Sequence, residues 1–358
     1  MAVYALNLIV VSVFSFLAEI FSTIDKNKGN KKYNLFFICI PVVSLSLISG
    51  FRYKVGTDFT TYSEIFLYLS DGKINFLEEG GFTLLNKIIK NISGNPQMFF
   101  LITSVIINVG ITIFIIKNSE YIFLSMYFYI TTFSYYLTMN GLRQYIASVI
   151  LISGYKYLLS GNFKKYLIFV LAAFTFHSTA LIMIPIYFLV QKKSDSITNI
   201  IIFSITFISM IFYRTFIEIL FTFLQNTRFA YYKDIFLEGN GANILRIIVW
   251  MLPVLITYLY LGRARKVYGK KIDTVLNLCF IGAIFMILAS KQIFFARACM
   301  YFDLYYLLLL PKVCNMFDER TNKFLKAAIM LGYLFYSSIL LLSGEAWIYP
   351  YKYSFNLF

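Results

Sequence analysis

The stretch Phe51-Arg-Tyr-Lys-Val-Gly-Thr-Asp-Phe-Thr-Thr-Tyr62 interrupts a sequence that otherwise consists mostly of apolar runs. Two apolar segments precede it and a long series follows it, which puts Arg52, Lys54 and Asp58 at the mouth of membrane spans. Charged side chains at such a place are costly unless they pair or bind a ligand. The stretch therefore predicts half of a binding site, with Gly56 as a turn residue.

The composition around this stretch is that of a membrane protein. The chain has 358 residues, of which 59% are hydrophobic and only 14% are charged, whereas soluble domains average about 25% charged residues. The first apolar run, 2–21, has no basic region before it and further apolar runs after it, so it predicts a membrane helix rather than a signal peptide. We expect one all-α domain over 1–358, a polytopic integral membrane helical bundle.

A membrane-spanning helix needs about 20 apolar residues. On that basis the sequence predicts roughly 11–12 membrane segments and a cavity that opens to the outside. The candidate segments are 2–21, 34–50, 97–116, 120–138, 143–160, 166–176, 178–190, 197–214, 243–261, 272–290, 297–311 and 324–343.

Basic residues in short loops predict the orientation, because such loops stay on the cytoplasmic side. The first loop, with Lys26, Lys28, Lys31 and Lys32, and the basic loops 262–271 and 312–323 are therefore expected inside. Both termini and the loop 51–96 are then expected outside. Within 51–96, apolar residues of 76–92 recur on one helical face, which predicts a helix lying at the membrane interface. The polar and aromatic segment 226–242 predicts a second outer loop.

The region between Lys164-Lys165 and Lys192-Lys193 is too short for two full spans. Both basic pairs are expected inside, yet 166–176 would rise only about 17 Å as a helix, against a hydrocarbon core of about 30 Å. A re-entrant pair of short helices would place His177 at its tip. The alternative is one long tilted helix over 166–190.

Arg143 and Gln144 follow Asn140-Gly141, a predicted break, and open a helical segment. A helix N-terminus with an arginine predicts an anion site. An arginine anchored at the end of a span is the alternative interpretation. Arg297, Tyr301 and Tyr305 have the spacing i, i+4, i+8, which predicts one helical face; interface anchoring is again the alternative.

The only histidine, His177, is followed by Ser178, a predicted helix N-cap. A neutral imidazole there could act as a general base, although a structural histidine is the plainer interpretation. One histidine cannot supply a histidine cluster, and Asp58 and Glu64 lack the spacing of metal ligands, so we expect no metal and no cofactor. The net charge of +15 resides in short loops, which argues against nucleic acid as a partner.

Four stretches of this sequence resemble the Wzy-type polysaccharide polymerases of bacteria, in the EpsG-like branch. They occur in the expected order over nearly the whole chain, with Gly80 as one departure where such proteins often have proline. The stretches are 52–62, Glu79-Gly-Gly-Phe82-Thr-Leu-Leu85, then Leu142-Arg143-Gln144-Tyr-Ile-Ala147 with Ala173-Phe-Thr-Phe-His177-Ser178-Thr-Ala-Leu181 and Pro185, and finally Pro350-Tyr351-Lys352-Tyr353.

The resemblance implies an enzyme of O-antigen, capsule or exopolysaccharide synthesis in the bacterial inner membrane. Such a polymerase transfers a growing glycan from polyprenyl (undecaprenyl) diphosphate to the distal sugar of the next lipid-linked unit at the outer face. Its expected partners are the lipid-linked oligosaccharide, membrane lipids and, as a candidate, a chain-length regulator protein. His177 and Asp58 are the candidate catalytic residues. The candidate substrate- or diphosphate-binding residues are Arg52, Tyr62, Arg143, Gln144, Ser178, Arg297 and Tyr301.

Two other functions remain open from the sequence. A lipid-linked oligosaccharide flippase would need cationic residues along a path across the membrane, whereas these residues gather towards one side. A metal-dependent glycosyltransferase with a lipid-monophosphate donor would need paired acidic residues in the first outer loop, where Asp58 stands nearly alone.

Overall fold

The computed structural model describes residues 1–24, 31–69, 74–226, 230–238 and 241–358. It is 76% helical with almost no sheet, so the predicted all-α membrane class is confirmed. Lys26 and Lys28 of the predicted inner loop, and 227–229 and 239–240 of the second predicted outer loop, lie outside the described residues.

The described residues form twenty α-helices. In chain order they are α1 (Ala2–Ile20), α2 (Leu35–Gly50), α3 (Phe59–Leu67), α4 (Gly80–Lys90), α5 (Pro96–Asn118), α6 (Ile122–Thr131), α7 (Ser134–Leu137), α8 (Leu142–Ser153), α9 (Tyr155–Leu159), α10 (Phe163–Phe174), α11 (Met183–Val190), α12 (Ile197–Ile211), α13 (Tyr213–Leu224), α14 (Lys233–Glu238), α15 (Ile244–Leu259), α16 (Leu261–Tyr268), α17 (Lys271–Ala289), α18 (Phe294–Cys299), α19 (Asp303–Val313) and α20 (Glu319–Leu342). Short 3₁₀ helices cover Phe76–Glu78, Ser178–Ile182, Ala230–Tyr232 and Glu345–Trp347, and two-residue strands β1 (Thr23–Ile24) and β2 (Lys31–Lys32) pair antiparallel.

Within the described ranges, four helices are long and apolar enough to cross a membrane: α1, α5, α17 and α20. Two bent pairs raise this number to six if each pair is one span: α12 with α13, bent by 104°, and α15 with α16, bent by 81°. This is fewer than the roughly 11–12 segments predicted, because several apolar runs are divided into shorter helices. The run 120–138, for example, breaks at Phe133, whose φ of 76° ends α6 before α7 begins.

The chain divides into two compact units. Unit 1 comprises Met1–Ile184 and Leu310–Phe358, and unit 2 comprises Pro185–Leu309. This division within the membrane domain was not apparent from the sequence.

Unit 1 has two ends that α1 connects. Near the start of α1 the Tyr4 hydroxyl donates to the carbonyl of Ile348, and near its end the Glu19 carboxylate accepts the N–H of Phe123. Nineteen residues of helix rise about 28 Å, which is close to the thickness of a bilayer core. At the Glu19 end, Lys31 and Lys312 both bind Glu120, so two of the predicted inner loops lie at the same end.

In unit 2, one end gathers the loop after α11 and the link between α16 and α17. The Arg265 guanidinium pairs with Asp195 at 2.8 Å and with Asp273 at 2.7 Å. The Ser194 N–H donates to the Asp273 carboxylate at 2.8 Å. The basic segments that flank these residues, which include Lys193 and the predicted inner loop 262–271, therefore lie at the same end of unit 2.

The chain breaks between α10 and the 3₁₀ helix that follows it. α10 ends at Phe174, and His177 has an extended backbone, with φ of −153° and ψ of 117°. The alternative of one continuous helix over 166–190 is therefore wrong. With 12 residues, α10 rises about 18 Å, which is short of the hydrocarbon core, and the re-entrant pair stays a prediction.

The loop 51–58 is joined to the C-terminal segment by main-chain hydrogen bonds. The N–H of Tyr53 donates to Lys352 O and the N–H of Gly56 donates to Trp347 O, each at 2.9 Å. Gly56 has a φ of +96°, and a Cβ on it would collide with Oδ1 of Asn140. The turn predicted at Gly56 is confirmed, and its close approach to Asn140 explains why no side chain fits there.

We expect Gly56→Ala to destabilise the protein by about 1–3 kcal/mol, because an L-residue would be strained at this φ and its methyl group would displace Asn140. Thermal unfolding of the purified protein in detergent measures this effect. Gly94→Ala is the matched control, since a Cβ at Gly94 has nothing within 4 Å. Equal unfolding temperatures for the two variants would contradict the expectation.

Candidate functional site

The loop before α4 brings an acidic side chain to the break after α10. Asn75 caps the 3₁₀ helix Phe76–Glu78, and Glu79 then adopts the left-handed conformation, with φ of 60° and ψ of 36°. The N–H of Gly81 donates to Thr175 O at 2.9 Å, and a Cβ on Gly81 would collide with the Thr175 side chain. Gly81 thus permits the close approach that places the Glu79 carboxylate beside the 175–178 segment.

The Glu79 carboxylate accepts three hydrogen bonds from two distant segments. Its Oε2 accepts Nη1 of Arg143 at 2.5 Å, and its Oε1 accepts Nδ1 of His177 at 2.8 Å. The N–H of Ser178 also donates to Oε1, at 3.2 Å. Both oxygens of one carboxylate therefore hold a guanidinium and an imidazole together. These three side chains, Glu79, Arg143 and His177, are the candidate site.

Arg143 lies in the first turn of α8, directly after the Asn140-Gly141 break that the sequence predicted. Its guanidinium carbon is 5.9 Å from the centre of the Tyr62 ring and 5.6 Å from that of Phe82. Aromatic faces attract a cation at such distances, and they restrict the guanidinium to one region. The side chain is 36% exposed, so it remains accessible to an anionic ligand.

His177 is oriented by its carboxylate partner. An ionised carboxylate can only accept hydrogen bonds, so the nitrogen that faces Glu79, Nδ1, carries the proton. In the neutral ring Nε2 is then the acceptor. The His177 side chain is 22% exposed, which leaves the ring accessible to a small polar group such as a sugar hydroxyl.

The Glu79 carboxyl is strongly acidic in this setting. Burial alone would raise its pKa, but the hydrogen bond from His177 and the charge of Arg143 outweigh burial and lower the pKa to about 2. The group is therefore ionised at neutral pH. No three His, Cys, Asp or Glu side chains in the described part of the chain are grouped so as to hold a metal ion.

Arg52 is not placed like a ligand-binding residue. Its side chain is fully buried, its Nη2 donates to Met139 O at 2.8 Å, its Nη1 donates to Ser49 O, and its guanidinium carbon is 4.6 Å from the Phe100 ring centre. Burial lowers the pKa of Arg52 to about 10, so it is still a cation at neutral pH. Arg52 was predicted to bind the diphosphate, but the structure places its guanidinium in the interior, where it holds the loop 51–58 against the backbone of Ser49 and Met139.

The other predicted residues of unit 1 lie around the candidate site to different degrees. The Tyr62 hydroxyl accepts the N–H of Arg143 at 3.4 Å, and Ser178 binds Glu79 through its backbone. Ser178 is the first residue of its 3₁₀ helix rather than the N-cap, which is His177. Gln144 is buried in α8. Asp58 is half-buried at the start of α3 and accepts a hydrogen bond from Thr57 at 3.2 Å.

The predicted helical face of Arg297, Tyr301 and Tyr305 is wrong. α18 ends at Cys299 and α19 begins at Asp303, with Tyr301 in the turn between them. The N–H of Tyr301 donates to Ala298 O, three residues back, so the spacing of an α-helix is lost there. Arg297 is exposed and Tyr301 is buried. Both belong to unit 2, and their predicted part in the site stays a prediction.

Glu79 is the functional residue that the sequence reasoning missed. It appeared only as the first residue of the Glu79-Gly-Gly stretch, and Asp58 was taken for the acidic residue of the predicted outer loop 51–96. A signal was present, because an acidic residue followed by two glycines indicates a turn in which a carboxylate can approach a neighbouring backbone closely.

A sequence model of the EpsG family matches residues 35–353. Searches of curated proteins and of solved structures gave no match. The matched region covers most of the chain and includes Glu79, Arg143 and His177, so the protein belongs to the EpsG family. Together with the apolar helices, this makes it a multi-pass membrane protein of polysaccharide biosynthesis.

The depressed pKa of Glu79 predicts a loss of stability in acid. The stability that Glu79 contributes is complete above its ordinary pKa of 4.5 and is lost as the pH falls through about 2. We expect Glu79→Gln to cost about 1–3 kcal/mol at pH 7, and the difference from the wild type should shrink as the pH falls below 4.5. Unfolding in detergent across this pH range is the measurement. A difference in unfolding free energy that does not change with pH would show that the charge of Glu79 contributes nothing to the stability.

Proposed function

We propose that this protein is a glycosyltransferase that polymerises lipid-linked oligosaccharide repeat units. The growing glycan is transferred from polyprenyl diphosphate to the distal sugar of the next lipid-linked unit. An acceptor hydroxyl attacks the anomeric carbon of the donor, the bond from that carbon to the phosphate oxygen breaks, and the diphosphate leaves. The observation that carries the proposal is the carboxylate of Glu79, which holds a cation for the leaving group and a base for the acceptor side by side.

Arg143 is the residue that binds the diphosphate. A guanidinium has five N–H donors in a planar fork that matches phosphate oxygens, and only part of that fork faces Glu79. Negative charge develops on the diphosphate as the glycosidic bond breaks, so a fixed cation beside it lowers the barrier. The rings of Tyr62 and Phe82 keep the guanidinium in place for this task.

His177 is the general base that takes the proton of the acceptor hydroxyl. Its Nε2 is the acceptor in the tautomer that Glu79 selects. Glu79 itself, with a pKa of about 2, is far too weak a base at neutral pH. A positioned base contributes about 10²–10⁴-fold to such a step. An oxocarbenium-like transition state, as in glycoside chemistry, needs less help from the base, which favours the lower part of that range.

The remaining predicted residues take supporting roles in the proposal. Tyr62 orients Arg143, and the N–H of Ser178 orients Glu79. Asp58 is the alternative group for positioning the acceptor. Arg52 acts through the backbone that it organises rather than through the diphosphate. Metal, cofactor and nucleic acid have no part in the proposed reaction, and a chain-length regulator protein remains a candidate partner.

The test is polymerisation by the purified protein in lipid vesicles supplied with polyprenyl-diphosphate-linked repeat units. We expect His177→Gln to bind the lipid-linked unit but to polymerise it about 10²–10⁴-fold more slowly, because glutamine cannot take the proton. Arg143→Lys keeps the charge but loses the planar fork, and we expect a loss of both lipid binding and chain growth. Chain length and bound lipid are the two readouts.

Arg214→Lys is the matched control, since Arg214 is an exposed arginine that pairs with Glu218 of its own helix. It should polymerise at the wild-type rate. Wild-type polymer from both His177→Gln and Arg143→Lys would remove the proposed roles. A wild-type protein that makes no polymer but moves the lipid-linked unit across the vesicle membrane would replace the polymerase by a flippase.

The proposal places the candidate site at the outer face of the bacterial inner membrane. We expect an exposed residue of the C-terminal segment, tested as Lys352→Cys, to be labelled by a membrane-impermeant maleimide on whole cells. Lys323→Cys, near the Lys312 end of unit 1, should be labelled only after the cells are permeabilised. Both lysines are exposed, and Cys39, the one exposed native cysteine, is replaced by serine in both. The reverse labelling pattern would contradict the orientation.

A further inference from the structure

We propose that Glu79 is the positioning residue of this site, and that its carboxylate sets the tautomer of His177 and the location of Arg143 at the same time. The inference rests on the proposed function for its catalytic meaning. Its structural content, which nitrogen of His177 carries the proton, does not depend on that function.

The first support is the sharing of the carboxylate. Oε1 holds His177 Nδ1 at 2.8 Å while Oε2 holds Arg143 Nη1 at 2.5 Å. The two oxygens of a carboxylate have a fixed separation, so the imidazole and the guanidinium cannot move independently of each other. The ring of His177 faces the carboxylate with one nitrogen and leaves the other for the acceptor. A base that is oriented by a third group in this way is the arrangement that activates nucleophiles in other enzymes.

The second support is the rigidity of the Glu79 backbone. A residue other than glycine at a φ of 60° is strained, and such strain persists only where the surroundings enforce it. Here the N–H of Gly81 and the N–H of Phe82 both donate to Thr175 O, at 2.9 and 3.4 Å. The same contacts tie the Glu79 loop to the residues that precede His177. The carboxylate is therefore fixed relative to the imidazole by main-chain bonds as well as by its own.

The third support is that the aromatic residues beside Arg143 cannot replace the negative charge of Glu79. Phe82 and Tyr62 give Arg143 only aromatic faces and one hydroxyl. In the described part of the chain, Glu79 is the carboxylate that contacts both the guanidinium and the imidazole, and without it a protonated His177 would face a like charge. Glu79 thus allows an imidazole to accept a proton beside an arginine, because the carboxylate balances the imidazolium that forms.

The proposal can be tested directly because His177 is the only histidine in the chain. In protein labelled with ¹⁵N-histidine, the two ring-nitrogen shifts report where the proton resides. The spectra are recorded at the alkaline end of a pH series, where the two ring-nitrogen shifts differ because only one nitrogen of a neutral ring carries a proton. We expect the wild type to carry its proton on Nδ1. In Glu79→Ala, which removes the acceptor, we expect both tautomers.

Glu78→Ala is the matched control, because Glu78 is the exposed neighbour in the same loop; it should keep the Nδ1 tautomer. In the polymerisation assay Glu79→Ala should lower kcat about 10²–10⁴-fold and should also raise KM, since Arg143 loses its anchor. His177→Gln should change kcat without this change in KM.

A wild-type proton on Nε2 would overturn the inference without any variant, so the test holds even if Glu79→Ala does not fold. An unchanged Nδ1 tautomer in a folded Glu79→Ala protein would overturn it equally. A wild-type protein that has the Nδ1 tautomer but makes no polymer would overturn only the proposed function.

Discussion

The buried guanidinium of Arg52 joins the end of α2 to the segment before α8. The position of the candidate site depends on this connection, because Arg143 lies at the start of α8. Taking such a charge out of water is costly unless hydrogen bonds compensate. The carbonyl groups of Met139 and Ser49 accept these hydrogen bonds. Because Met139 precedes α8 and Ser49 lies near the end of α2, the two segments are held close together. Gln97 adds donors to the carbonyls of Gly50 and Arg52. The need of the buried Arg52 for hydrogen-bond acceptors therefore determines where α8 begins, and with it the position of Arg143.

The C-terminal segment completes the same end of the unit. Tyr353 forms a β-bridge with Arg52, and the carbonyl of Ala346 accepts Nδ2 of Asn140 at 3.0 Å. Segments from the loop after α2, from the middle and from the end of the chain thus meet around a few polar groups. Buried backbone N–H and C=O groups need hydrogen-bond partners, and at this end of unit 1 these segments supply them to one another.

In the candidate site, too, a cation that is partly removed from water is balanced by a nearby polar partner, here a charged side chain. Glu79 balances Arg143, and the balance lets a histidine change its protonation without leaving two cations face to face. The ion pairs of unit 2 have a different character. Arg265 is held by two aspartates, and Asn199 binds Asn277 at 2.8 Å, so that network joins helices of unit 2.

The sequence by itself determined the class of the protein and much of its local structure. Composition gave the all-α membrane class, and Asn140-Gly141 and His177-Ser178 marked two breaks that the structure confirms, because hydrophobicity and chain breaks are local properties. The divisions of two apolar runs at Phe133 and at Tyr301 were not predicted, because neither break contains a glycine or a proline. Only the tertiary structure decided which charged residues meet: it paired Glu79 with Arg143, 64 residues apart, and with His177, 98 residues apart. It also showed that Arg52, which the local sequence had indicated as a ligand-binding residue, is buried. Contacts over such separations depend on how helices pack, and no pattern within one segment encodes them.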